Sequence, residues 1–177
     1  SSLLGVQTLN AWGPQGTAGV TGYINGEGWS VSASGQVTAG TYSDAVFATT
    51  GNTYVAVSGS ALGALSLGEH IFASLSVSGQ YGVSGVMPTW NTFAVTGPAA
   101  VRGYPTNLSV GDSGYVARFQ IEKSSPFALG GSIGVRPFVF GDVGQAFDST
   151  SAPLGLASSI GVGTSFTQGN NVFGDIY

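Results

Sequence analysis

Acyl-transfer chemistry needs a nucleophile, a general base and a carboxylate that orients the base. The sequence offers candidates for the first two. Ser113 stands in Gly111-Asp112-Ser113-Gly114, the glycine-flanked setting of an activated serine, and His70, the one histidine among 177 residues, precedes it. The only Asp or Glu between them is Asp112, which adjoins the serine and belongs to the motif itself, so the orienting carboxylate is missing. His70 follows Gly68-Glu69 at a turn-to-strand boundary, the setting of a solvated or interfacial histidine. Ser113 is expected in a loop and dispensable for hydrolysis. The eight carboxylates, Glu27, Asp44, Glu69, Asp112, Glu122, Asp142, Asp148 and Asp175, are scattered without local pairing. Nothing in their spacing favours a glycosidase pair over solvated loop acids. Asp142 and Asp148 lack the dense oxygen spacing of a calcium loop, and the glycine-rich stretches lack the strand, loop and helix context of phosphate binding. With no cysteine and one histidine, thiolate catalysis, iron–sulfur ligation and multi-histidine metal motifs are excluded. The residues thus predict a protein that is not an enzyme and carries no metal and no cofactor.

Charge narrows the partners. Only 7% of residues are charged and the formal net charge is −4, against about 25% charged in ordinary soluble domains, so nucleic acid is not an expected partner. Thirty glycines with abundant Ser, Thr, Val and Ala take the place of Lys and Glu, and the mean hydropathy is +0.28. All four cations, Arg102, Arg118, Lys123 and Arg136, fall in one window, while residues 1–101 contain neither Lys nor Arg. No stretch approaches the ~18 apolar residues of a transmembrane helix, so a membrane role would require a β-barrel. The N-terminal Ser-Ser-Leu-Leu-Gly-Val has none of the features of a targeting segment.

Such residues would be positioned by strands, because alternation with period two runs along nearly the whole chain. In Trp29-Ser30-Val31-Ser32-Ala33-Ser34 the odd positions are apolar and the even ones serine; residues 72–78 repeat the scheme, with Leu75 and Val77 opposite Ser74, Ser76 and Ser78. Tyr115, Ala117, Phe119 and Ile121 alternate with Val116, Arg118, Gln120 and Glu122, and Ile160, Val162, Thr164 and Phe166 with Gly161, Gly163 and Ser165. The last two runs read as strands of about 9–11 residues, the span of a bilayer by tilted β-structure. Turn signals fall at Asn25-Gly26, Ser78-Gly79, Met87-Pro88, Gly97-Pro98, Asp148-Ser149-Thr150 and Gly169-Asn170-Asn171. They separate about eight strands with no helix. The fold class is all-β and antiparallel. Two readings stand at this point: a transmembrane barrel, or an extracellular sandwich or fibre of structural or adhesive function. Near-absence of edge-protecting charge favours the barrel.

Residues 99–116, Ala-Ala-Val-Arg-Gly-Tyr-Pro-Thr-Asn-Leu-Ser-Val-Gly-Asp-Ser-Gly-Tyr-Val, resemble the long sixth extracellular loop and following strand of the superfamily of outer-membrane assembly and two-partner-secretion barrels. Within it the resemblance is to the hemolysin secretion/activation transporter. The loop motif VRGY stands as Val101, Arg102, Gly103 and Tyr104, and the GDxG that often follows is Gly111-Asp112-Ser113-Gly114, which accounts for the nucleophile look-alike. Ser78-Gly79-Gln80-Tyr81, Thr96-Gly97-Pro98 and the arginine-bearing strand 115–122 fall in the same order. Pro137-Phe138-Val139-Phe140-Gly141-Asp142-Val143-Gly144 looks like the F-x-D-x-G strand motif, here Phe140, Asp142 and Gly144, and residues 157–166 look like the next strand. The likeness covers residues 70–177, with residues 1–69 matching only as generic strands, all within one β-barrel segment of residues 1–177.

The resemblance implies a segment of a barrel of about sixteen strands in the outer membrane of a Gram-negative bacterium. It also implies export of an unfolded exoprotein, with that exoprotein and outer-membrane lipid as partners, and a loop folded back into the lumen with its arginine held by the strand acid. The pleat agrees: Arg136, Phe138, Phe140 and Asp142 share one face of their strand, and Val135, Pro137, Val139 and Val143 the other. Tyr115, Phe119 and Ile121 are expected to face lipid, and Arg118 and Gln120 water.

Overall fold

The structure is a computed structural model that describes residues 11–44, 49–123, 127–129, 133–168 and 172–177. Its strands are β1 (Ala11–Trp12), β2 (Gln15–Gly26), β3 (Trp29–Asp44), β4 (Thr49–Ser66), β5 (Ile71–Ser84), β6 (Phe93–Ala94), β7 (Val110–Gly111), β8 (Ser113–Lys123), β9 (Phe127–Leu129), β10 (Ile133–Phe147), β11 (Pro153–Gln168) and β12 (Val172–Ile176). One short 3-10 turn, Thr89–Asn91, is the only helical element among the described residues. Ten strands form one antiparallel sheet whose main path visits eight of them, β1-β3-β4-β5-β8-β10-β11-β12. In addition β2 pairs with β3, on the side of β3 that β1 also occupies, and β9 pairs with β10. Pro14, which cannot donate to a ladder, lies in the break between β1 and β2. The sheet is an up-and-down meander with one long excursion, residues 85–112, between β5 and β8.

The strands are longer than the alternation alone indicated. β8 has 11 residues, but β11 has 16 and β4 has 18. At about 3.3 Å per residue and ~45° of tilt, 18 residues rise about 42 Å, well beyond an apolar band of about 25 Å. The apolar alternation marks only part of each strand, and the ladder continues past it into Ser, Thr and Gly. Two turn signals are also corrected. Ser78-Gly79 lies inside β5, where Gly79 serves a close approach between strands: a Cβ there would lie 3.1 Å from the Gly114 carbonyl oxygen. Asn25-Gly26 ends β2, and the turn itself is Glu27-Gly28, with Gly28 in the left-handed region at φ 77°. The signal at Gly169-Asn170-Asn171 lies outside the described residues.

Register divides the sheet into two faces. The excursion folds back over one of them, here termed inner. Val116, Phe138, Phe140 and Asp142 are buried beneath it. The opposite face carries Val20, Ile24, Trp29, Val31, Val37, Val57, Leu65, Leu75, Val77, Tyr115, Phe119, Val139, Val143, Ile160 and Val162, all exposed, with Ile160 at 90% and Val162 at 72%. So continuous an apolar band on a face that no protein covers is the mark of a surface that meets lipid. Of the charged strand residues, Arg118, Glu122, Arg136 and Asp142 project from the inner face, and Lys123, the last residue of β8, has the outer parity. Buried hydrophobic side chains are correspondingly few and sit where the excursion meets the sheet. One cluster joins Val95, Ala100 and Val101 of the excursion to Val116, Ala146 and Ala157, and a second joins Met87 to Tyr42, Tyr54 and Ala56.

Candidate functional site

The excursion is a small hairpin built to carry one arginine across the inner face. β6 pairs with β7, and beyond them the strand-like Thr96 bridges Val101. Val95 N–H donates to the Ser109 carbonyl and Val101 N–H to the Val95 carbonyl, each at 2.9 Å. Thr96 Oγ1 accepts the Ser109 N–H at 3.0 Å. This frame fixes Val101, fully buried, and delivers Arg102 beside it; Gly103 then turns the chain at φ 85°, a backbone conformation that only glycine adopts without strain. Tyr104 closes the motif by donating its hydroxyl to the Ser158 carbonyl on β11 at 3.0 Å.

Arg102 meets Asp142 of β10 in a two-pronged contact. Nε donates to Oδ2 at 2.7 Å and Nη2 to Oδ1 at 2.8 Å, while the Arg102 backbone N–H donates to Oδ2 at 3.1 Å. The two side chains are 4% and 0% exposed. The remaining guanidinium arm donates through Nη1 to Gln120 Oε1 at 2.8 Å, and Gln120 passes the chain on through Nε2 to Glu122 at 3.2 Å. Aromatic rings enclose the cation: its central carbon lies 3.9 Å from the centre of the Phe140 ring, 5.8 Å from Phe138 and 5.9 Å from Tyr177. Desolvated cation–ring contacts of this kind contribute about 2 kcal/mol. Each of the three guanidinium nitrogens donates a hydrogen bond, which is what makes a buried charge tolerable.

The strand motif and the loop motif therefore meet residue by residue. Phe140 supplies the ring and Asp142 the carboxylate. Gly144 leaves the space in which Val95 sits; a Cβ at 144 would lie 2.7 Å from a Val95 methyl. Across the ladder, Gly161 and Gly163 do the same for the rings of Phe140 and Phe138, which lie within 2.8 Å of where their Cβ atoms would be. Arg118, the direct cross-strand partner of Asp142, lies second in line: its Nε is 3.9 Å from Oδ1. Sequence reasoning did not reach Gln120, Phe138 or Tyr177 as neighbours of Arg102, since nothing local in the chain joins residue 102 to 120 or 177.

The acyl-transfer candidates do not converge. His70 is exposed just before Ile71, which faces Lys123, whereas Ser113 adjoins Gly114, which faces Gln80. The two ends of that ladder lie about 30 Å apart. Ser113 is not a loop residue: it opens β8, is buried, and its Oγ accepts the Gly82 N–H at 3.0 Å. Asp112 takes the Met87 N–H at 3.4 Å, which ties the two ends of the excursion together. Among the described residues no three of His, Asp and Glu gather closely enough to hold a metal ion.

A protein-family model, that of the haemolysin secretion/activation proteins ShlB/FhaC/HecB, matches residues 4–166. The chain belongs to this family. No curated protein and no solved structure matches it. The family is one of β-barrel proteins of the Gram-negative outer membrane that serve two-partner secretion, and it is not an enzyme family; the all-β antiparallel sheet fits part of such a barrel. The sandwich or fibre alternative falls with that membership. The family match begins at residue 4 and so takes in the strands of residues 1–69 that had only generic features.

Proposed function

We propose that this chain is the translocating segment through which an unfolded exoprotein leaves the cell, and that the residue 85–112 excursion is a plug-like element held beside the substrate path. The observation that carries the reading is the Arg102–Asp142 pair, which is buried, two-pronged and made across 40 residues of sequence between loop and wall. The step is conformational: no covalent bond is made, and no nucleotide is required. With Arg102 seated, the hairpin covers β8, β10 and the adjoining part of β11. The inner face of β2 to β5 remains lined by Thr17, Thr21, Ser32, Ser34, Ser60 and Ser76, which are uncharged and hydrogen-bonding. An extended chain can slide along such a wall without meeting a fixed charge. Long connections of outer-membrane barrels lie outside the cell and short turns on the periplasmic side, which puts the root of the excursion at the cell surface.

The test is secretion of the cognate exoprotein into the medium, with barrel abundance and heat-modifiable gel migration as controls for folding. Arg102→Asp and Asp142→Arg singly are expected to abolish secretion, and the combined charge swap to restore part of it. Full secretion in both single variants, with the barrel folded, defeats the reading.

A further inference from the structure

We propose that Arg118 is the second partner of Asp142, taking over its carboxylate when Arg102 leaves, so that the loop exchanges between two arginine-paired arrangements. The proposal rests on the plug reading above. Asp142 and Arg118 stand directly opposite one another in the β8–β10 ladder, both on the inner face. Opposite charges placed so attract, yet here they do not bond: Arg118 Nε is 3.9 Å from Asp142 Oδ1, beyond hydrogen-bond reach. That Nε is shielded from solvent and has no hydrogen-bond partner, an unfavourable state for a cationic N–H.

The cause is Arg102. It engages both oxygens of the carboxylate through three N–H groups, and it sets a like charge beside Arg118. The one bond from Arg118 to the loop, Nη1 to the Ala99 carbonyl, is long at 3.3 Å and exposed. Withdrawing the loop removes the like charge and frees both oxygens. A shift of under about 1 Å then brings Nε to Oδ1 at hydrogen-bond distance. Arg118 is therefore a positioning residue whose interaction is weaker with the loop seated than with the loop released. It favours release, although it touches the seated loop.

That sign makes the proposal testable. Ala146 is fully buried under the excursion, and the 177 residues contain no cysteine. In the full-length protein in liposomes, the modification rate of Ala146→Cys by a water-soluble maleimide, located by peptide mass spectrometry, follows the fraction of molecules with the loop released. Arg102→Ala is expected to raise that rate; if it does not, the loop is not held by this pair and the plug reading itself fails. With Arg102 intact, Arg118→Gln is expected to slow modification about fivefold, the ratio a strong exposed ion pair supports, and Arg118→Lys to slow it less. If Arg118 merely ties the loop down through Ala99, Arg118→Gln speeds modification. An unchanged or faster rate in Arg118→Gln, with Arg102→Ala behaving as expected, overturns this proposal and leaves the plug reading standing. Where Arg118→Gln fails to give heat-modifiable, folded barrel, Arg118→Lys carries the comparison: slower modification supports the proposal, and unchanged or faster modification overturns it.

Discussion

At the scale of single residues the balance is between desolvation and partner quality. Arg102 and Asp142 are out of water, so removing either partner leaves the other as a buried unpaired charge, a loss of about 3–5 kcal/mol, not the ~0–1 kcal/mol of an exposed pair. Lysine cannot rescue it, because a single ammonium can neither bridge both oxygens nor lie flat on the Phe140 ring. Arg102→Lys is therefore expected to lower hydrogen-exchange protection of the Val95 and Val101 amides nearly as far as Arg102→Ala does. Protection within about 0.5 kcal/mol of wild type in either variant contradicts this. Asp148, at the β10–β11 turn, behaves differently. Its carboxylate accepts from the Thr150 hydroxyl and from the Ala152 and Thr150 N–H groups, and these bonds hold its pKa below the ordinary carboxylate value. Because the folded value is the lower one, the turn's contribution is present above the ordinary value and fades as pH falls through the depressed one. Amide chemical shifts of Thr150 and Ala152 should follow that acid transition, and Asp148→Asn should abolish it. The arginine–acid pair was legible in the sequence through its two motifs. Its ring enclosure was not, since Phe138 and Phe140 also read as ordinary strand positions, and Tyr177 is brought in only by the pairing of β11 with β12.

At the scale of elements, glycine does two jobs that composition alone does not distinguish. Gly144 faces inward and is filled by Val95, whereas Gly141 faces outward, where the nearest atom to an added Cβ is 4.0 Å away. Gly144→Ala is thus expected to destabilise loop docking by about 1–3 kcal/mol through overpacking, and Gly141→Ala to stay within about ±0.5 kcal/mol. The same hydrogen-exchange measurement separates them, and equal effects refute the packing account. The alternation of Tyr115 to Glu122 was legible because one face is apolar and left uncovered while the other carries the polar side chains that meet the loop. The turn reading at Ser78-Gly79 was misled by the same residue types, Ser and Gly, that here make the contact between β5 and β8 close. Ser113 shows a third case. Its hydroxyl is a backbone partner for Gly82, so Ser113→Ala costs about 1 kcal/mol without any consequence for hydrolysis.

At the scale of the whole molecule, the unusual composition is a solvent problem solved twice. A soluble sheet protein covers one face with its own core and charges the other, but this sheet leaves its apolar face bare and keeps Arg118, Glu122, Arg136 and Asp142 on the side where the loop lies, with Lys123 on the outer face only at the end of β8. The near-absence of Lys and Glu is what makes the membrane reading legible in the composition. Barrel size could not be read the same way, because pleat period is the same in every antiparallel sheet. The bare face makes a position-specific demand on energy. Leu75 and Ser76 are neighbours on β5, the first outward and exposed, the second inward opposite Arg118 and Leu62. An arginine at 75 must lie in hydrocarbon, and near the bilayer midplane that costs about 2–4 kcal/mol, falling to about 0–1 near the interfaces. An arginine at 76 reaches the lumen, where the charge keeps its water. Folding titrations in urea with lipid vesicles should therefore show Leu75→Arg destabilised relative to Ser76→Arg, by an amount set by the depth of residue 75 and reaching about 2–4 kcal/mol at the midplane. Equal stabilities would mean that the two faces of β5 share one solvent, and the membrane register of the sheet would have to be abandoned.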